Sequence, residues 1–163
     1  MEADKSKLSY LIKILHLNIN EVNEDTEEGM DRRIRLQKIV YFSKLLGIDF
    51  NYNYSMSLHG PYSPQLTNDY YSLSEDDIRD APSYRDINEK YPKIEELFKR
   101  ETIWLETAAT IISVKKENPH LNWKYIVDHV SKIKSDILKG KGKDFNFVQE
   151  VFLDLKNLRL VDK

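Results

Sequence analysis

The chain has 163 residues, 40% of them hydrophobic and 32% charged, with a formal net charge of −2 and no cysteine. That length suits one compact domain with a buried core, the balance excludes wholesale disorder, and the missing thiols exclude disulfides, thiolate metal sites and cysteine nucleophiles. No apolar run approaches the roughly 20 residues of a membrane span and no leader pattern is visible, which predicts a cytoplasmic protein without a membrane partner; the slightly acidic balance argues against a dominant nucleic-acid-binding field.

Ser6 can cap a first helix whose Leu8, Leu11, Ile12 and Leu15 recur at the spacing of one buried face. The polar stretch NINEVNEDTEEG then reads as a loop, and the next helix starts at Asp25 or at Asp31, with Gly29 favouring the later start. Up to Leu46 its residues Ile34, Leu36, Ile39, Val40, Tyr41, Phe42 and Leu45 cover most of the helical circumference, which predicts a central, buried helix that Gly47 ends in a left-handed cap.

Phe50, Tyr52, Tyr54, Met56 and Leu58 alternate with polar residues, a period of two that predicts a half-buried strand. Such a strand needs a partner or a bend at Asn53; NLRLV near the C-terminus and SYRDI at 83–87 are the best partner candidates. Gly60 and Pro61 should break the strand. Ser63 then offers an N-cap hydroxyl and Pro64 fits the first helical position, so LHGPYSPQL reads as a strand-to-helix corner that orients a helix bearing Leu66, Tyr70 and Leu73 on one face, with Tyr71 beside it.

Between Ser74 and Pro92 the chain reads mostly as loop, with one turn capped by Ser74 and Asp77. Tyr91, Ile94, Leu97 and Phe98 mark a short helix. Trp104, Leu105, Ala108, Ala109, Ile111 and Ile112 mark a longer, buried one. Asn122 caps a helix carrying Trp123, Ile126, Val127, Val130, Ile133 and Ile137; after the KGKGK loop a last helix carries Phe145, Val148, Val151, Phe152, Leu155 and Leu158. The fold class is α+β, mainly α: one domain over residues 1–163, with about seven helices around a central buried helix and a small antiparallel strand element.

Chemistry-bearing patterns are sparse. His16, His59, His120 and His129 are scattered and form no metal-binding helical motif, and neither a nucleophile elbow nor a phosphate-binding glycine loop is present. No catalytic residue, metal or cofactor is therefore assigned. The corner at His59, Gly60 and Pro61 exposes backbone N–H groups that can meet an anion or a partner's carboxylate, although alternation also turns His59 to solvent. Tyr52, Tyr54 and Tyr70 are placed inward by periodicity, which leaves Tyr62 and Tyr71 as interface candidates. Two basic groups, Arg32, Arg33 and Arg35 with Lys38, and Lys139, Lys141 and Lys143, are candidates for phosphate contact.

In RLQKIVYFSKLLG and YSMSLHGPYSPQLTNDYYSL, within Arg35 to Leu73, the chain resembles the Panacea domain family, which includes SocA-like antitoxins, and its YwgA-like relatives. The likeness lies in Leu36, Gln37, Lys38, Tyr41 and Phe42 on one helix, followed by an extended segment, the Gly60-Pro61 corner and a leucine-bearing helix. The Tyr62-Ser63-Pro64 version of the corner is more similar to the YwgA-like branch. The resemblance implies a non-enzymatic prokaryotic or mobile-element protein that neutralises a toxin, in one branch by delivering it to a protease. The first functional reading is thus an antitoxin or adaptor that binds a partner protein through His59, Gly60, Pro61, Tyr62 and Tyr71, with a second copy of the chain as a further candidate partner. The alternative is a nucleic-acid-binding regulator of winged-helix-like arrangement using Arg32, Arg33, Arg35, Lys139, Lys141 and Lys143, which requires those residues to share one face.

Overall fold

In the computed structural model, which describes residues 4–161, the chain is α+β and mainly helical, with ten helices and one two-stranded antiparallel hairpin among those residues. In chain order the elements are α1 (Lys5–Ile14), α2 (Ile19–Val22), α3 (Glu27–Leu45), β1 (Ser55–Ser57), β2 (Gly60–Tyr62), α4 (Pro64–Ser72), α5 (Glu75–Arg79), α6 (Arg85–Phe98), α7 (Thr102–Glu117), α8 (Trp123–Ile133), α9 (Ser135–Gly140) and α10 (Phe145–Asn157). None of these helices is long and apolar enough to cross a membrane.

Two helices, rather than one, form the centre. α3 buries every residue from Leu36 to Ser43, and α7 every residue from Ile103 to Ile112. They pack on each other; α6 and β2 lean on α3, β2 also lies on α7, and α8 and α10 cover the rest of α7. A helix enclosed on all sides carries its polar residues inside with it. Gln37, Lys38, Glu106, Thr107 and Thr110 are all buried as a result, and these residues shape the site described below.

Several boundaries differ from those expected. Asp4, not Ser6, caps α1, its Oδ1 accepting from Lys7 N at 3.0 Å. α3 starts two residues after Asp25, capped by Thr26, whose Oγ1 accepts from Gly29 N. Gly29 lies inside the helix because the chain before it passes so close that a Cβ would sit 2.1 Å from the Glu24 carbonyl oxygen. α6 extends back to Arg85 and keeps Pro92 within it: Ile87, Ile94 and Leu97 bury one stripe across the proline, and that burial outweighs the lost backbone bond. The helix from Asn122 divides at Lys134, which is buried and ends α8, so Ile133 is exposed instead of continuing the apolar face. Gly47 does occupy the left-handed cap, at φ +96°.

The strand expectation holds only in part. Phe50 and Tyr52 are buried and Tyr54 packs edge-on against Tyr41, but among the described residues this stretch has no paired strand, and Asn51 turns its backbone into the left-handed region at φ +63°. Pairing begins at Ser55, where the alternation stops mattering: Met56 and Leu58 are 38% and 72% exposed. The partner is the segment immediately following, with Ser55 opposite Tyr62, Met56 opposite Pro61 and Ser57 opposite Gly60, rather than NLRLV or SYRDI. Gly60 and Pro61 therefore do not end the sheet; they belong to its second strand. Leu58 and His59 form the turn, and Gly60 follows at φ +94°, where a side chain would be strained.

Candidate functional site

The hairpin and the start of α4 make one corner, and residues of α3 and α7 hold it from beneath. Ser63 Oγ accepts from Leu66 N at 3.2 Å with Pro64 in the first helical turn, the capping expected from SPQL. Gln37 grips the same residue from α3: its Oε1 accepts from Ser63 N at 3.0 Å, and its Nε2 donates to Ser63 O at 2.9 Å and to Thr67 Oγ1 at 3.0 Å. Thr67 in turn donates to Tyr62 Oη at 2.5 Å and lies 3.1 Å from Tyr70 Oη. A buried amide that pairs with both backbone groups of one residue leaves that residue little freedom.

The hairpin carbonyls are met by ammonium groups. Lys38 Nζ donates to Pro61 O at 2.8 Å, and Lys134 Nζ donates to Leu58 O at 3.0 Å. Both lysines are almost wholly buried. Ser57 Oγ closes the turn by donating to Gly60 O at 2.7 Å. Acting on both cations is Glu106, buried on α7, whose Oε1 is 2.6 Å from His59 Nδ1. Burial lowers the Lys38 ammonium from its usual 10.5 to about 8; Glu106 opposes that shift and Lys134 adds to it. Burial lowers Lys134 too, against the pull of Glu106. One carboxylate thus faces two ammonium groups and an imidazole in a site from which most water is excluded, a cluster with a surplus of positive charge.

Of the residues singled out from the sequence, His59, Gly60, Pro61, Tyr62 and Tyr71 do come together. His59, Tyr62 and Tyr71 line a cavity of about 180 Å³ between α3, the hairpin and α4. Gly60 and Pro61 are buried beneath it, so they serve the corner's backbone rather than its surface. His59 does not simply face solvent; it turns toward Glu106 and is half-buried.

The basic residues are placed differently from one another. Arg32 lies 3.8 Å from Glu21 and 3.9 Å from Glu24. Arg33 donates to the Val22 and Glu24 carbonyls at 2.9 and 2.6 Å, at the end of α2. Arg35 donates to the Phe98 and Arg100 carbonyls at the end of α6 and sits 4.8 Å over the Phe98 ring, and burial lowers its pKa. Lys143 pairs with Glu101 at 3.3 Å, while Lys139 and Lys141 are exposed. Arg32 and Lys141 line one open cleft of about 790 Å³, together with Glu27, Glu28, Asp31 and Glu101. These arginines are engaged with helix ends and carboxylates, and the cleft that Arg32 and Lys141 line is not a basic one.

Sequence reasoning missed Gln37, Glu106 and Lys134 as parts of the corner. Glu106 has a legible signal, being the lone charged residue in IWLETAATIISV; Lys134 has none, since it sits among other lysines. Among the described residues no group of three or more histidine, aspartate or glutamate side chains is arranged to hold a metal ion. No family model matches the chain, and comparison with curated proteins and with solved structures gives no match.

Proposed function

We propose that this chain is a non-enzymatic protein-binding module, an antitoxin or adaptor of the Panacea-like type, that presents its hairpin and corner to a partner protein. The observation that carries this reading is the exposure of large apolar side chains around one structural feature. Leu58 and Met56 stand out from the hairpin, while Met30 and Tyr71, 45% and 52% exposed, flank the cavity that Ser57 and His59 also line. Apolar side chains left in water around a rimmed cavity are typical of surfaces that are covered on binding. The hairpin tip is short, yet Lys38, Lys134 and Ser57 hold three of its carbonyls. A partner would meet a surface already ordered, which lowers the entropic cost of association. The resemblance in LQKIVYFS and HGPYSPQL supplies the class of partner, a toxin encoded beside this chain.

The test is co-expression with the product of the adjacent reading frame. That product alone should arrest growth, this chain should relieve the arrest, and the two should co-elute in size-exclusion chromatography. Leu58→Ser should abolish both relief and co-elution while leaving the thermal melt nearly unchanged, because Leu58 is 72% exposed and belongs to no part of the core among the described residues. An adjacent product that neither arrests growth nor forms a complex would remove the antitoxin reading.

A further inference from the structure

The cavity beside the corner combines two properties that seldom share so small a volume. Its walls are apolar and aromatic, from Met30, Ile34 and the rings of Tyr62, Tyr70 and Tyr71, and its charged lining is cationic, from Lys38 and Arg33, with no carboxylate among the residues that line it. Neither cation is saturated. The Lys38 ammonium has three N–H bonds and one acceptor among the described residues, Pro61 O. Arg33 uses only Nη1, which leaves Nε and Nη2 without a partner among those residues, and its guanidinium lies 5.9 Å from the Tyr71 ring centre. Among the described residues neither side chain has an ion pair within 4.0 Å; Glu106 is directed to His59. An anion in this cavity would satisfy donors that the chain leaves free.

The geometry points to this cavity as a receptor for the C-terminal residue of a partner polypeptide, its α-carboxylate set against Lys38 and Arg33 and its apolar side chain held among the tyrosine rings. The volume, about 180 Å³, takes one residue and excludes a nucleotide or a folded segment. An internal aspartate or glutamate would bring the charge without the apolar group, and an internal phenylalanine or leucine the reverse. A chain terminus carries both on one Cα, and capture of a terminal carboxylate by fixed donors is an established recognition mode. A free carboxylic acid shares that chemistry but would leave the exposed rim unused. Tyr71 and Met30 at the mouth, and Leu58 between Ser57 and His59 on the turn, are placed for the residues preceding the terminus. The inference rests on the protein-binding reading above and names the part of the partner that is read.

The test uses peptides tethered through their N-termini and randomised in the last three positions, in two arrays, one with free C-terminal carboxylates and one with amides. Binding of the whole protein should be confined to the free-acid array and to sequences ending in an aromatic or large aliphatic residue. The best free-acid peptide should bind at least tenfold more tightly than its amide in fluorescence anisotropy. Its affinity should fall as pH rises from 7 to 9.5, as Lys38 loses its charge near 8, and this fall should vanish in Lys38→Met. The charged groups acting on Lys38 are Glu106 from α7 and Lys134 at the end of α8, and Arg33 from α3, His59 from the hairpin, Tyr62 and Tyr70 line the same cavity. Tyr71→Ala, at the exposed rim, should weaken binding at least fivefold with an unchanged melt, which keeps the test decisive if Lys38→Met fails to fold. Equal binding to acid and amide arrays, or no binding to either, would overturn the inference. N-acetylphenylalanine competing as well as the best peptide would overturn it too, by assigning the cavity to a free acid. If those results came with intact, Leu58-dependent co-elution of the adjacent product, the terminus would be refuted and the protein-binding reading would stand.

Discussion

Gly60→Ala and Gly47→Ala place the same methyl group on nearly the same backbone, at φ +94° and +96°, in two different surroundings. At Gly47 no atom of the described residues lies within 4 Å of the new Cβ, so the cost is conformational alone, about 1–2 kcal/mol for an L-residue held at positive φ. At Gly60 the Cβ would lie 2.8 Å from Thr110 Oγ1 and 3.4 Å from both Glu106 O and Lys38 Cε. Thr110 cannot turn aside freely, because its hydroxyl donates to Glu106 O at 2.7 Å and the residue is fully buried. Overpacking of this kind adds about 1–3 kcal/mol, for a total of roughly 2–5 kcal/mol at Gly60. With urea slopes of about 1–3 kcal/mol per molar for small proteins, the midpoint for Gly60→Ala should fall about 1 M below that for Gly47→Ala. The double variant Gly60→Ala/Thr110→Ala should cost less than the sum of the two single changes, since it removes the contact. Equal midpoints for the two glycine variants would show that the hairpin does not rest on α7 in this way.

Three further outcomes are expected. Gln37→Leu leaves the buried Ser63 N–H without an acceptor and should cost about 1–3 kcal/mol, with amide exchange at Ser63 accelerated beyond that of residues on α10; unchanged protection there would contradict the clamp. Trp104→Ala removes a ring that is 4% exposed, lies 6.4 Å from the Phe42 ring and donates to Asp154 Oδ2 at 2.9 Å; a loss of about 3–5 kcal/mol should appear in the melt. Lys38 titrates near 8 in the folded chain and near 10.5 unfolded, so between those values the unfolded chain binds the extra proton and stability rises with pH. Relative to Lys38→Met, the wild type should gain about 2 kcal/mol between pH 7 and 9.5, and parallel curves for the two would sink this reading.

The parts of the fold that were legible are those governed by local chemistry. Gly47 as a left-handed cap, Ser63 and Pro64 as a helix start, and the Ser74–Asp77 capping box each depend on residues within one turn of each other. The parts that were not legible depend on what lies across the chain. Gly29 favours a helix boundary by propensity, but the Glu24 carbonyl packed on it leaves room for nothing larger, and the helix runs through it. Met56 and Leu58 continue the alternation of Phe50 and Tyr52, yet they stay exposed among the described residues, because the returning strand is only three residues long and begins just after the turn. Pro92 reads as a stop, and the stripe of Ile87, Ile94 and Leu97 overrides it.

The corner shows the same division, and it separates what holds the site from what the site would recognise. Leu36, Gln37, Lys38, Tyr41 and Phe42, on which the family resemblance rests, are all buried in α3, and Gln37 and Lys38 end on Ser63 and Pro61. That stretch is accounted for by the mechanics of the corner: an amide and an ammonium brought from one helix turn to fix a hairpin and a helix start. Met30, Met56, Leu58 and Tyr71 answer to no such demand, since they are exposed around the finished corner. A resemblance carried by the first set therefore bears on how the surface is built, and the apolar rim that a partner would meet is supplied by the second. It follows that changes confined to the exposed set can redirect binding at little cost in stability, whereas changes at Gln37 loosen the frame that presents the surface, and changes at Lys38 both loosen that frame and remove a charge set against the partner's terminal carboxylate.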